Sequence, residues 1–375
     1  MFSKKTSAFT IIVFINSLFF YKYLSRVTSY ALLGLPIYIF MQYALYFFSD
    51  IIFLKLKKFK KITISTIAFL LIFSVAVHYK ISLDSLKVDR WSVIASFWDA
   101  LFKGKYPYFA KSHMGNYPGP MPIYFLIALP FYLINFYSIL SVLGYVLLVY
   151  IMRKRDATFL LFLLLISLFM YWEIVTRSTI FTFSMFVAAL FYKKDILIKK
   201  QYYITAITVG LLLATRSVYI LPYIVFFLSS ILRKEKTIKE VFTFLIIPFL
   251  TFLGVFLPFI IGYGTDFLKM NPFIIQSSFL IPASYTLLFI LIAFAFSFLV
   301  KKKEDELFYA GLSLFVAIAI YALYQIYHHG LREAFFSSYI DISYFILGAP
   351  FLLVYLFVVT AKEKNNKLNH AASSF

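Results

Sequence analysis

Long apolar runs recur along almost the whole chain and constrain its fold more than any other feature. A helix of about 20 apolar residues crosses a bilayer, and 62% of the 375 residues are hydrophobic while only 14% are charged. Soluble domains have about 25% charged residues. The sequence therefore predicts an all-α transmembrane bundle with residues 1–362 in one domain, followed by a polar cytoplasmic tail at 363–375. Twelve runs are recognisable, at 8–24, 30–54, 62–79, 121–150, 157–172, 178–192, 202–214, 218–232, 241–262, 279–300, 307–327 and 335–359.

Basic residues explain the net charge of +20 and predict the orientation of the chain. Twenty-four of the 36 Lys and Arg residues lie in clusters at 4–5, 55–61, 153–155, 193–200, 233–239, 301–303 and 362–367. Cytoplasmic loops carry such an excess, so both termini are expected in the cytoplasm. The charge then indicates orientation, and nucleic acid is not an expected partner. Richness in Lys, Ile and Phe is typical of an AT-rich bacterial genome and favours the bacterial cytoplasmic (inner) membrane.

Two of the apolar runs differ from a simple membrane span. The run at 8–24 lacks a small-residue cleavage site and is expected to remain as a helix. The run at 121–150 contains Pro130 and Asn135 and must cross the membrane an odd number of times. We expect one span preceded by a short re-entrant or interfacial helix, because irregular backbone at membrane depth needs cover from protein or a wet cavity.

The polar segment 80–122 interrupts the apolar pattern on the outer face and is expected to contain short helices. Ionisable groups are expensive near lipid, so those at the outer ends of helices are candidates for function. Carboxylates can accept a proton from a hydroxyl, arginines bind phosphate in a bidentate manner, and aromatic side chains offer flat apolar faces to a sugar ring or a prenyl chain. The cysteine-free chain excludes disulfides and thiolate chemistry. Candidate substrate-binding residues are Arg90, Asp99, His113, Tyr117, Glu173, Arg177, Arg216, Asn271, Gln276, His328 and Arg332.

A family resemblance is carried by the segment 88–124, with weaker support from Asn271-Pro272-Phe273 and Gln276. The segment contains Asp89-Arg90-Trp91-Ser92-Val93, Gly104-Lys105-Tyr106-Pro107-Tyr108 and Tyr117-Pro118-Gly119-Pro120. It resembles the first large outer loop of GT-C glycosyltransferases, closest to the bacterial branch that uses polyprenyl-phosphate mannose. The resemblance implies a membrane helix bundle, a polyprenyl-phosphate sugar as donor and Asp89 as the general base. In the family this loop usually follows the first span, whereas here three apolar runs precede it, two more than in the family.

Several residues have alternative interpretations. Asp99 is a rival base, expected on the same helix as Asp89 but on a roughly opposed side. Glu173 and Arg177 are equally well explained by an i,i+4 ion pair. Asp84 and Asp89 would bind Mg²⁺ or Mn²⁺ only if the reaction is metal-dependent.

The remaining alternatives concern basic groups. Arg216 fits phosphate binding slightly better than a structural pairing with Glu173. The adjacent His328 and His329 point apart on a helix, which favours interfacial solvation over a shared metal. His113, as a lone loop histidine, is an uncertain ligand for phosphate or metal.

The sequence thus favours an inverting membrane mannosyltransferase, or related hexosyltransferase, that acts on the outer face of the bilayer. Asp89 would deprotonate an acceptor hydroxyl on a glycan, a lipid-linked sugar or a protein, while Arg216, with Arg177 and Arg332, would stabilise the departing phosphate. The alternatives are a flippase or transporter of lipid-linked sugars, and an O-antigen-type polymerase or ligase that relies on arginines and histidine.

Overall fold

The computed structural model describes residues 3–49, 59–153, 158–192, 202–278, 281–337 and 339–373. These residues form seventeen α-helices and no β-strand, which confirms the predicted all-helical class. In chain order the helices are α1 Lys4–Leu24, α2 Ala31–Phe47, α3 Phe59–Lys80, α4 Arg90–Phe102, α5 Pro122–Leu133, α6 Tyr137–Met152, α7 Thr158–Leu165, α8 Leu168–Val175, α9 Ile180–Tyr192, α10 Tyr202–Leu213, α11 Ile220–Leu232, α12 Ile238–Lys269, α13 Pro272–Ser278, α14 Tyr285–Leu299, α15 Asp305–His329, α16 Leu331–Phe336 and α17 Ala349–Ser373. Short 3₁₀ turns occur at Leu83–Ser85, Pro107–Phe109, Ser217–Tyr219 and Ile342–Gly348.

Five of the described helical segments are long and apolar enough to cross a membrane, and a sixth results if the bent pair α7 and α8 is one span. Seven further apolar helices are shorter, at 10–17 residues. A helix of 12 residues such as α10 measures about 18 Å, less than the roughly 30 Å of a hydrocarbon core. The structure therefore supports a helical membrane bundle but does not establish twelve spans.

Local sequence explains where the first and the longest helices begin. The hydroxyl of Ser3 accepts a hydrogen bond from the backbone N–H of Thr6 and caps α1. Thr237 and Glu240 form a capping box at the start of α12. Helix α12 extends to Lys269, past the predicted run at 241–262, and bends at Gly264, whose φ of 34° is readily adopted by glycine.

The apolar run at 121–150 is divided as the sequence predicts. Helix α5 is followed by Asn135, which has a φ of 52°, and then by α6. The start of α5 is bound near the end of α10, because the N–H of Met121 donates to the carbonyl of Thr215 at 3.0 Å. Its far end lies near the end of α3, where the rings of Phe136 and His78 are 4.1 Å apart. Helix α5 therefore runs between two helix termini, and α6, with 16 residues, is shorter than a full span, so the predicted crossing by this run stays a prediction.

Ion pairs at one end of the bundle join residues from the predicted cytoplasmic segments. Lys4 binds Asp305, Lys5 binds Glu363, and Lys362 binds Glu304. Arg233 binds Glu306 and Glu235. We call this end the basic end, and the end that carries residues 80–122 the loop end. Residues 55–58 of the predicted basic cluster 55–61, residues 154–155 of the cluster 153–155 and the whole cluster 193–200 lie outside the described residues. Residues 363–373 of the predicted polar tail continue α17.

Candidate active site

The carboxylate of Asp89 is held by a tight turn in the loop that follows α4. Oδ2 of Asp89 accepts hydrogen bonds from Oγ of Ser112 at 2.9 Å and from Nδ2 of Asn116 at 2.8 Å. The turn is closed by the N–H of Ser112, which donates to the carbonyl of Asn116, and Gly115 supplies a φ of 83°. Oδ1 of Asp89 has no donor among the described residues. One oxygen is thus fixed while the other is available for a ligand.

His113 stabilises the same turn. Its Nδ1 lies 2.6 Å from Oγ of Ser92, and its ring stacks on Trp91 with centroids 5.5 Å apart. Both partners lie in the first turn of α4, directly after Asp89. The imidazole therefore connects the turn to the helix that carries the predicted base.

Arg90 connects α4 to the start of the 3₁₀ turn Ile342–Gly348 at the loop end. Its guanidinium forms an ion pair with Asp341, donates to Oγ of Ser343 at 3.0 Å and lies 5.4 Å from the ring centroid of Tyr344. Burial disfavours the charged guanidinium, but the Asp341 carboxylate outweighs this effect and raises the pKa of Arg90 above its ordinary value. Arg90 is therefore a fixed positive charge beside Asp89.

Arg216 approaches the same region from the turn between α10 and α11. Its guanidinium carbon lies 5.6 Å from the ring centroid of Tyr124, a residue in the first turn of α5. The phenol oxygen of Tyr124 lies 2.8 Å from Oγ1 of Thr179. Tyr124 thus connects the Arg216 turn to α5.

Gln276 holds three loop-end segments together. Its Nε2 donates to the carbonyl of Gly119 at 2.6 Å, and its Oε1 accepts from the N–H and Oγ of Ser217. Nearby, the hydroxyl of Tyr106 donates to the carbonyl of Met270 at 2.6 Å. The Asp89 loop, the Arg216 turn and α13 therefore form one connected structure.

Three buried donors around this structure lack a hydrogen-bond acceptor in the described part of the chain. They are Nε of Arg90, Nε1 of Trp91 and Nε of Arg216. A buried donor without an acceptor costs about 1–3 kcal/mol, and two of these three donors belong to guanidinium groups, which favours a ligand rich in anionic oxygens. Phosphate has this chemistry.

Other predicted site residues lie apart from this centre. Asp99 is exposed on α4 and accepts a hydrogen bond from the hydroxyl of Tyr132. Asn271 caps α13, because its Oδ1 accepts from the N–H groups of Phe273 and Ile274. These contacts do not support the predicted substrate-binding role of either residue.

The predicted residues of the final outer turn surround a different depression. A groove of about 690 Å³ is lined by His329, Gly330, Leu331, Arg332, Glu333, Phe336 and Ser337. Arg332 is exposed there. His328 packs on Tyr324 at 4.4 Å, and His329 stacks on Tyr339 at 3.7 Å.

Glu173 and Arg177 are buried but do not form the alternative ion pair. Glu173 accepts from the hydroxyl of Tyr145 at 2.6 Å and from the N–H of Phe181 at 2.8 Å. Arg177 donates to the carbonyls of Val77 and Ile81 in α3 and its following turn, and to that of Val175. These contacts give both residues structural partners, and Arg216 has no ion pair with Glu173 in the described structure.

No group of three His, Asp or Glu side chains in the described ranges is arranged to hold a metal ion. Asp84 is exposed in the 3₁₀ turn before α4, and the contacts of Asp89 are with Ser112 and Asn116. The possible role of Mg²⁺ or Mn²⁺ stays a prediction from the sequence.

Sequence reasoning did not select Tyr124 or Asp341 as site residues. Tyr124 is one of several tyrosines in an apolar run, and only its contact with Arg216 distinguishes it. Asp341 is separated from Arg90 by 251 positions. The available signal was its charge, because a carboxylate at the start of an apolar segment requires a partner.

No family model, no characterised protein and no solved structure among those compared with this chain matches it.

Proposed function

We propose that this protein is an integral membrane glycosyltransferase that uses a polyprenyl-phosphate sugar as donor. The observation that carries the proposal is a carboxylate with one free oxygen, Oδ1 of Asp89, adjacent to the half-buried Arg90 and joined through Gln276 to the turn that carries Arg216. A base beside an anion site is the arrangement that sugar transfer from a phosphate requires. The resemblance of segment 88–124 to GT-C enzymes provides independent support.

In the proposed reaction, Oδ1 of Asp89 accepts the proton of an acceptor hydroxyl. The hydroxyl oxygen attacks the anomeric carbon, and the bond from that carbon to the phosphate oxygen breaks with its electron pair on the phosphate. The guanidinium groups of Arg90 and Arg216 stabilise the charge of the departing polyprenyl phosphate. Attack from the face opposite the leaving group inverts the anomeric configuration. A mannose-like sugar and an outer-face orientation follow from the sequence resemblance and the charge pattern.

In this proposal Arg90 and Arg216 bind the phosphate of the donor, and Arg177 and Arg332 do not. Arg177 donates to three main-chain carbonyls, and Arg332 lines the separate groove at 329–337.

The decisive experiment compares Asp89→Asn with Asp99→Asn. Purified protein in nanodiscs is given radiolabelled polyprenyl-phosphate sugars and a panel of glycan, lipid-linked and protein acceptors. Removal of a general base lowers the rate by roughly 10²- to 10⁴-fold, so Asp89→Asn should abolish measurable transfer while Asp99→Asn retains it. Full transfer by Asp89→Asn would contradict the assignment of the base.

A carrier of lipid-linked sugars is a second candidate, favoured by a broken helix inside the bundle. Helices α7 and α8 meet at an angle of 54°. At this break Nδ2 of Asn16 donates to Oγ of Ser167 and to Oε1 of Gln42, and Oδ1 of Asn16 is buried without a partner. Broken helices with buried polar groups occur in transporters. Movement of labelled lipid across a vesicle bilayer without sugar transfer would favour the carrier.

A further inference from the structure

The turn that holds Asp89 also carries an exposed basic and aromatic surface. Lys111, His113 and Tyr117 are exposed on or beside this turn, and Lys87 is exposed just before Asp89. His113 brings the two segments together, because its Nε2 lies 3.3 Å from the carbonyl of Leu86. We call Lys87, Lys111, His113 and Tyr117 the acceptor rim.

The lysines of the acceptor rim, Lys87 and Lys111, have no carboxylate partner among the described residues. Asp84 is the exposed carboxylate closest along the chain to Lys87, and no ion pair joins them in the described structure. Segment 80–122 as a whole carries six Lys and Arg residues against three Asp residues. Such an excess is unusual for a segment expected on the outer face and favours an anionic ligand.

Tyr117 adds an apolar face to this charge. Its side chain is 38% exposed, and Nζ of Lys111 lies 5.1 Å from its ring centroid. An open aromatic ring next to an ammonium group can contact the flat face of a sugar while the cation binds an acidic substituent. A lipid headgroup would use the lysines but not the ring in this way.

Burial separates the acceptor rim from the proposed phosphate site. The Nε atoms of Arg90 and Arg216 are buried, whereas Lys87 and Lys111 are exposed to solvent. Asp89 belongs to both regions, since it precedes Arg90 in α4 and is bound by the turn 112–116. The carboxylate therefore has a buried cationic site on one side and an open cationic surface on the other.

We infer that the acceptor is an acidic glycan, whose carboxylate or phosphate groups bind Lys87 and Lys111 while a sugar ring packs on Tyr117. This inference rests on the proposed function in naming the ligand an acceptor. A binding surface of this charge would not prefer neutral lipid-linked sugars or protein hydroxyls as acceptors.

A binding experiment tests the inference without requiring turnover. Protein in nanodiscs of zwitterionic lipid is titrated with a galacturonate hexamer and, separately, with the neutral hexamer of glucose. We expect the acidic hexamer to bind more tightly and its affinity to fall with added salt, because exposed charges are screened. The double variant Lys87→Gln/Lys111→Gln should bind it roughly tenfold more weakly.

The matched control is Lys103→Gln/Lys105→Gln. These two exposed lysines belong to the same loop but lie at the opposite end of α4, a helix about 20 Å long. This control should retain the affinity of the unaltered protein, and Tyr117→Ala should weaken binding of the acidic hexamer. Because all five side chains are exposed, the variants should fold as the unaltered protein does.

Several results would overturn the inference. Equal binding of the two hexamers, no binding of either, or equal losses in the test and control variants would each do so. Retention of anionic phospholipid that depends on Lys87 and Lys111 would identify a headgroup site instead. Failure of the proposed function can be distinguished from failure of this inference. Binding of the acidic hexamer without any sugar transfer would refute the proposed glycosyltransferase activity but would support the acidic-glycan binding surface. Transfer to neutral acceptors that is unaffected by Lys87→Gln/Lys111→Gln would refute the acidic acceptor alone.

Discussion

Arg177 and Arg216 lie in identical Thr-Arg-Ser tripeptides but have different surroundings. Arg177 has a φ of 55° and is 1% exposed, with its guanidinium bound to main-chain carbonyls. Arg216 has an extended backbone, with a φ of −155°, and its guanidinium lies over Tyr124. The repeated tripeptide therefore does not mark a repeated function, and the two residues should respond differently to substitution.

Arg216→Lys should weaken binding of polyprenyl phosphate by roughly tenfold or more. Lysine keeps the charge but loses the planar guanidinium that stacks on Tyr124 and binds phosphate in a bidentate manner. Affinity for polyprenyl phosphate in nanodiscs provides the measurement, and Arg332→Lys in the separate groove serves as the control. Equal affinity for both variants would argue against a phosphate site at Arg216.

Arg177→Leu should lower the stability of the folded protein. It leaves the carbonyls of Val77, Ile81 and Val175 without this donor, and a buried unsatisfied polar group costs about 1–3 kcal/mol. We expect a clear fall in the unfolding temperature in detergent. An unchanged unfolding temperature combined with lost phosphate binding would instead return Arg177 to the active site.

At the scale of elements, glycines determine how closely some helices pack. A Cβ added to Gly144 in α6 would lie 2.5 Å from Cα of Thr182 in α9, whereas a Cβ added to Gly254 in α12 meets no atom within 4 Å. Gly144→Ala should therefore destabilise the bundle by about 1–3 kcal/mol. Gly254→Ala should be neutral or slightly stabilising, because alanine favours helix by up to about 1 kcal/mol. Comparison of their unfolding temperatures tests the contact, and equal values would contradict it.

At the same scale, α4 and α5 form the platform of the candidate site. The rings of Phe97 and Phe125 stack with centroids 3.7 Å apart, and Nε1 of Trp98 donates to the carbonyl of Phe125. This packing positions Tyr124 on α5 relative to Asp89, which directly precedes α4. Asp99 lies on the exposed side of α4, in agreement with its expected separation from Asp89.

At the scale of the whole molecule, the contacts divide the chain into two ends. The ion pairs of Lys4, Lys5 and Lys362 join one end, and the contacts of Arg90 and Gln276 join the other. The two ends correspond to the two sides that the basic clusters predict.

Single cysteines can test this orientation, because the chain contains none. We expect Lys111→Cys and Arg332→Cys to react with an impermeant maleimide from outside intact cells, since both sites are exposed at the loop end. Lys301→Cys should react only after the membrane is opened. Labelling of Lys111→Cys and Lys301→Cys from the same side would contradict the predicted topology.

The sequence by itself determined the all-helical class, the division of the run at 121–150 into two helices and the grouping of the helix ends by charge. These properties depend on hydropathy and on charge next to apolar runs, and both are local in the chain. It also selected Asp89, which remains a prediction about catalysis. It did not establish how many helices cross a bilayer, because α9, α10 and α11 are shorter in the structure than a full span.

Only the tertiary structure decided which charged groups meet. Arg90 pairs with Asp341, 251 positions away, and Arg216 lies over Tyr124, while Glu173 and Arg177, only four positions apart, bind other partners. Such pairings depend on how helices pack and where turns direct side chains, and no local pattern contains that information. The sequence therefore located polar groups at the loop end, and packing determined which of them converge beside Asp89.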